Sequence, residues 1–164
     1  MLQDEWKIIY EIYYRPLYMY ALSLTGNSQD AEDLLQATFV KAFLSYQSTG
    51  SIKYWLIRVL RNEFLNLQRK RKREILDEGK DYLIHVMAED DIPAYLIGME
   101  ERRQLFCEIQ KLPAQMKEIL MESVYFQMSD AEIAELHKLT RENVRKIRSR
   151  AKQKLIQKMG EGEN

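Results

Sequence analysis

The chain has little of what disulfide-stapled, metal-binding or membrane-spanning proteins need. Among its 164 residues there is one cysteine, Cys107, so no intramolecular disulfide can form. His85 and His137 stand apart from it and from each other, which leaves no Cys/His cluster for a metal. Six glycines and three prolines, with few valines and threonines, supply little material for hairpins and point to an all-helical chain. No apolar run approaches the roughly 18 residues that span a bilayer. The N-terminal Met-Leu-Gln-Asp-Glu-Trp-Lys carries acids where a signal peptide carries bases, so a cytoplasmic protein without direct membrane insertion is expected. Gly-rich phosphate loops, His-Glu-x-x-His and Gly-x-Ser-x-Gly are missing as well. The expectation is a protein that is not an enzyme and uses no cofactor or metal.

A net charge of zero, from 25 basic and 25 acidic side chains, would by itself argue against a nucleic-acid partner. The signs are segregated, however. Residues 69–73 read Arg-Lys-Arg-Lys-Arg, and nine bases face the single acid Glu142 between Lys138 and Lys158. Between these blocks, residues 81–101 hold six acids and no base. Alternating basic, acidic and basic blocks keep nucleic acid in play.

Apolar spacing of three and four residues divides the chain into helices. The first joins Trp6, Ile9, Tyr13, Leu17, Ala21 and Leu24, with Pro16 predicting a kink or break near Tyr14. Ser28 is expected to cap a second helix, whose apolar face is Ala31, Leu34, Leu35, Thr38, Phe39, Ala42, Phe43 and Tyr46. Asp30, Glu32 and Asp33 in its first turns suit the positive end of the helix dipole. The loop Ser48-Thr49-Gly50-Ser51 leads to a third helix with Ile52, Trp55, Leu56, Val59, Leu60, Phe64 and Leu67 on one side and bases on the other. Trp55 reads as core, whereas Lys53 and Tyr54 lie off the stripe. Cations beside flat rings suit single-stranded nucleic acid, where rings stack bases and cations hold the backbone.

From Glu74 to Ile92 the periodicity fails, which predicts an acidic linker. Pro93 suits the start of a helix running to about Leu112, and Pro113 the start of another with Met116, Ile119, Leu120, Val124 and Tyr125 inward. Cys107, among apolar residues, reads as a small core filler. Ser129 and Glu132 form a capping box before the short helix 131–136, and after the turn His137-Lys138-Leu139 Thr140 caps a long basic helix. Short helix, tight turn and basic helix make a helix-turn-helix pattern, whose second helix meets bases in the major groove. Thr140, Arg141, Glu142, Asn143, Arg145 and Lys146 are placed at base edges, and Arg148 and Arg150 at phosphates. About six neutralised phosphates would give log K against log salt a slope of roughly −5.

Two stretches resemble a known family. Asp30 through Phe43, then Trp55-Leu56-Ile57-Arg58-Val59-Leu60-Arg61-Asn62 running into Arg69-Lys70-Arg71-Lys72, are similar to region 2 of the bacterial extracytoplasmic-function (ECF) sigma factors. Leu112-Pro113, Ser129 through Ala134, and Val144 through Leu155 resemble their region 4. The resemblance implies two small helical domains, residues 1–73 and 93–160, joined by a linker at 74–92. It implies a dissociable specificity subunit of core RNA polymerase that binds promoter DNA and is held by an anti-sigma factor.

Carried onto this chain, the resemblance puts the contact with the β′ clamp helices at Asp33, Gln36, Thr38 and Lys41, with Phe39 supporting them from the core. It puts the −10 element at Ser48, Thr49, Ser51, Lys53, Tyr54, Arg58, Arg61 and Asn62. The C-terminal domain would bind the β flap and read the −35 element with Thr140 through Arg150. Two features depart from the family. His137-Lys138 replaces Leu-Gly in the turn, so Lys138 must take a left-handed conformation or the turn must change shape. Ile147 stands one position before the usual apolar residue. The rival reading is a helix-turn-helix regulator that never serves as a sigma subunit, and a third is a module that sequesters another factor.

Overall fold

The computed structural model describes residues 2–46, 50–78 and 99–161. Seven helices and no strand occur among them, and the chain divides into two compact units, residues 1–91 and 92–164.

In the N-terminal unit, α1 (Leu2–Thr25), α2 (Ser28–Ser45) and α3 (Ile52–Glu78) pack on one another. Leu17, Tyr20, Ala21 and Leu22 of α1 meet a core built from Leu35 and Ala42 of α2 and Leu56, Ile57 and Leu60 of α3, all of them fully buried. Contrary to the expected break, α1 runs through Pro16. Proline removes one backbone bond, but the turn that follows it is the most buried part of the helix, and burial at about 25 cal/mol per Å² offsets the loss.

At the α1–α2 junction Gly26 adopts φ 80°, a left-handed value that suits glycine. The cap of α2 is Asn27 rather than the expected Ser28. Its Oδ1 accepts from the Asp30 N–H at 2.8 Å, and its Nδ2 donates to Asp30 Oδ2 at 3.0 Å. Phe43, expected inward, sits at the edge of the core, edge-on to Trp6 at 5.5 Å. The third helix runs five residues past the expected linker boundary at residue 73. Arg71 ties its far end to Asp30 across 2.7 Å, and Ile75 is half-buried one turn later. Residues 79–98, which hold most of the expected linker and Pro93, lie outside the described residues.

The C-terminal unit contains α4 (Glu100–Gln110), α5 (Ala114–Tyr125), α6 (Asp130–His137) and α7 (Arg141–Glu161). Its core is Phe106, Ile109, Ile119, Leu120, Met121, Phe126, Ile133, Val144 and Ala151. Cys107 is half-buried on α4. Val124, expected inward, is exposed, and Met121 and Glu122 take the inward positions on α5. In the turn after α5, Gln127 takes φ 51°, and Phe126 and Met128 on either side of it are both buried.

The capping box of α6 is formed as its sequence predicts. Ser129 Oγ accepts from the Glu132 N–H at 3.1 Å, and Glu132 Oε1 accepts from the Ser129 N–H at 3.0 Å. Lys138 ends α6 in the left-handed region, φ 57° and ψ 44°, so the turn keeps its shape at a cost of about 1–2 kcal/mol for a residue with a Cβ.

Candidate nucleic-acid interface

The two basic surfaces are built differently. On α3, residues 54, 58, 61 and 62 recur at helical spacing along one flank. Ser51 starts the helix by accepting from the Tyr54 N–H at 3.3 Å, which spends its hydroxyl on structure. Arg58 and Asn62 are exposed, while Lys53, Tyr54 and Arg61 are half-buried. Ser48 and Thr49 lie outside the described residues.

Between α2 and α3 a cavity of about 240 Å³ opens, lined by Lys41, Ser45, Trp55, Arg58, Val59, Asn62 and Glu63. Trp55, read from the sequence as core, is half-buried and forms part of this wall, with its ring 6.3 Å from that of Tyr46. Its indole N–H is buried and finds no acceptor among the described residues. A buried donor without an acceptor costs about 1–3 kcal/mol, and an incoming polar edge would recover it. Aromatic face, amide and guanidinium around one cavity can stack and hydrogen-bond an extruded base. Apolar spacing alone hid Trp55, because a residue at the edge of a helix stripe satisfies both a core and a rim.

On α2, Asp33, Gln36 and Lys41 are exposed, and Phe39 is buried beneath them. Thr38 does not belong to this face: it is 0% exposed, and its Oγ1 donates to the Leu34 carbonyl at 2.7 Å. Lys41 Nζ lies 2.6 Å from Glu63 Oε1 on α3, at the rim of the cavity. Two apolar residues that the sequence reading did not assign to this face, Val40 at 58% and Leu44 at 77% exposure, stand on it with Asp33 and Gln36. An exposed apolar stripe with polar flanks has a composition that suits protein docking. Of the acids in the first turns, Asp30 is bound to Arg71, while Glu32 and Asp33 face solvent.

On α7, Thr140 Oγ1 accepts from the Asn143 N–H at 3.1 Å and fixes the start of the helix. Arg141, Glu142, Asn143, Arg145, Lys146 and Arg150 are exposed, while Val144, Ala151 and Leu155 are buried on the opposite side. Arg148 departs from its expected place among the phosphate contacts. Its side chain is 24% exposed and its guanidinium grips Asp130 of α6, with Nη1 on Oδ1 and Nη2 3.3 Å from Oδ2. Arg145 Nε donates to the same Oδ2 at 3.1 Å. The hydrogen bond from Arg148, and after it that from Arg145, holds the Asp130 carboxyl below the usual 3.8 against the opposing effect of burial.

His137 lies in the core, paired with a carboxylate. Its Nε2 lies 2.7 and 2.8 Å from the two carboxylate oxygens of Glu122, and its Nδ1 is 3.9 Å from Glu118. The side chains of His137 and Glu122 are almost wholly buried. A polar pair from α5 and α6 therefore anchors the turn where the pattern it resembles has leucine. In this unit a cavity of about 400 Å³ lies among Lys111, Pro113, Lys154, Leu155 and Lys158.

Sigma-70 region 2 matches residues 9–74, and sigma-70 region 4 matches residues 102–155. Over 149 residues the chain is 29% identical to the ECF RNA polymerase sigma factor SigM of Bacillus subtilis, with 90% of each chain covered. It is 34% identical over 105 residues to the ECF sigma factor EcfG of Rhodopseudomonas palustris, covering 62% of this chain and 56% of that one. Among solved structures, the sigma factor RpoE from Bartonella quintana, in complex with the anti-sigma factor NepR, matches with a TM-score of 0.69 and 25% identity over 93% and 94% of the two chains. CnrH, in complex with the cytosolic domain of CnrY, shares the fold, with a TM-score of 0.66 at 18% identity over 96% and 89%. With regions 2 and 4 matched in order on two helical units, the chain belongs to the ECF family of RNA polymerase sigma factors.

Proposed function

We propose that this protein binds core RNA polymerase as a dissociable subunit, directs it to a specific set of promoters and starts transcription there. One observation carries the reading: a base-sized cavity walled by Trp55, Arg58 and Asn62 in one unit accompanies a helix-turn-helix with an exposed basic reading helix in the other. The exposed stripe of α2, Asp33, Gln36, Val40 and Leu44, is the docking face for the β′ clamp helices. Lys53, Tyr54, Arg58, Arg61 and Asn62, with the segment from Ser48 to Ser51, hold the −10 strand, and extruded bases are trapped by stacking and polar contact rather than by ATP. The start of α7 reads the −35 duplex, and the C-terminal unit contacts the β flap.

The role is regulatory rather than catalytic and belongs in the cytoplasm, where polymerase works; among the described residues no helix is long and apolar enough to cross a membrane. An anti-sigma factor is proposed as a further partner, because both solved relatives above were captured as complexes, one of them named as an anti-sigma complex, and α1 and α2 expose Ile8, Ile12, Val40 and Leu44. Reconstitution with core polymerase and mapping of transcript starts tests the proposal. Starts at a shared pair of promoter elements are expected, and failure to form a holoenzyme would sink it.

A further inference from the structure

Arg148 and Arg145 lie one turn apart on α7, and a single carboxylate on α6 takes both. Their exposures differ sharply. Arg148 is 24% exposed and offers both η nitrogens to Asp130, so its hydrogen-bonding fork is spent inside the protein. Arg145 is 65% exposed and meets Asp130 through Nε, which leaves its two η nitrogens outside that contact. A guanidinium held at Nε keeps its end edge, with two parallel N–H groups, and that edge matches the O6 and N7 acceptors of guanine. Holding the fork in place before DNA arrives also reduces the freedom lost on binding. Asp130 itself is fixed, since it follows the Ser129 cap in the first turn of α6, where a negative charge is favoured.

We propose that Asp130 is a positioning residue for promoter reading: it presents the end edge of Arg145 to a guanine of the −35 duplex and withholds Arg148 from DNA. The inference rests on the reading of α7 as the duplex-recognition helix. It also accounts for the order Ile147-Arg148 on α7. The arginine turns toward α6 because a carboxylate waits there, and Arg148 adds nothing to the phosphate count.

The test uses the whole 164-residue chain. Duplexes selected from a random pool by the wild type are expected to share a guanine at which 7-deazaguanine, which lacks N7, weakens binding on the order of tenfold. Arg145→Ala and Asp130→Ala are each expected to reduce that penalty to about twofold or less. Asp130→Ala also releases Arg148, so affinity for unrelated duplex should hold or rise, and the slope of log K against log salt should steepen by about one. Asp130→Glu should recover part of the discrimination. Unchanged discrimination in Asp130→Ala overturns the inference, as does an equal loss on selected and unrelated duplexes, which would make Asp130 a mere prop. If circular dichroism shows that Asp130→Ala does not fold, Asp130→Asn carries the same readouts.

The buttress is also checked without DNA, by NMR exchange of the Arg145 Nε–H. That proton should be protected in the wild type and lose protection in Asp130→Ala, and equal exchange in both refutes the contact. A wild type that keeps the protected proton yet selects no duplex refutes instead the promoter-reading role on which the inference rests.

Discussion

Each unit sets an aspartate in the first turn of a helix and binds it to an arginine from another helix, but the arginines come from different kinds of surface. Asp30 of α2 takes Arg71, from the basic run at the far end of α3, at a distance from the cavity that Arg58 and Asn62 line. Asp130 of α6 takes Arg145 and Arg148, from the helix proposed to read DNA. In the N-terminal unit this contact thus stands apart from the cavity proposed to take a base. In the C-terminal unit one of the two arginines, Arg145, is proposed to serve both as such a contact and in DNA reading, and the turn depends on a buried polar pair besides. Stability and DNA reading should accordingly separate in the first unit and move together in the second.

The hardest blow to the C-terminal unit is Glu122→Ala, which leaves His137 buried without its partner. A loss of about 3 kcal/mol is expected in urea unfolding, with −35 duplex binding falling alongside. Replacing both residues, Glu122→Leu with His137→Leu, should recover most of that stability, because two apolar side chains remove the desolvation cost of the pair. A double variant as unstable as the single one would show that the pair contributes more than its own burial costs.

In the N-terminal unit, Asn62→Ala is expected to reduce open-complex formation roughly five- to tenfold, measured by permanganate reactivity, if one hydrogen bond to a base, about 1–1.5 kcal/mol, is lost. Its urea midpoint should hardly move, since exposed substitutions usually stay within about 0.5 kcal/mol. A parallel fall in stability would end the contrast between the units.

Lys138→Gly sharpens the comparison in the opposite direction. Relief of the left-handed strain, less the entropy glycine adds to the unfolded chain, should stabilise the turn by about 0.5–1 kcal/mol.

Acid provides a subtler probe. The folded carboxyl of Asp130 lies below its ordinary 3.8, so its stabilisation is complete above that value and is lost as pH falls through the lower folded value. Asp130→Asn should remove this part of the acid-side slope in a pH series of unfolding curves. The smallest effect is expected from Lys41→Ala, whose exposed bond to Glu63 should contribute no more than about 0.5 kcal/mol in a double-mutant cycle.

Local chemistry explains which features were legible in advance. The Ser129–Glu132 box, the Thr140 cap and the apolar stripes of α2, α3 and α7 depend on residues three or four apart, and their geometry follows from the helix itself. The choice of Asn27 over Ser28 was less legible, because both side chains can accept the same N–H and the aspartate three residues after Asn27 decides between them. Thr38 shows the limit of family likeness: its position matches a docking motif, but its hydroxyl is returned to its own helix and sees no solvent.

The sequence alone determined an all-helical chain, the order of its helices, the two basic surfaces and the helix-turn-helix, since each follows from spacing along one segment or from summed charge. Tertiary structure decided which of those charges remain available. Arg71 closes on Asp30 from about 40 positions away in the chain, Arg148 and Arg145 share a carboxylate on another helix, and Glu122 comes under the turn to meet His137. Those meetings depend on how helices pack side by side, and burial then strengthens the Glu122–His137 pair most, because polar groups withdrawn from water attract more strongly.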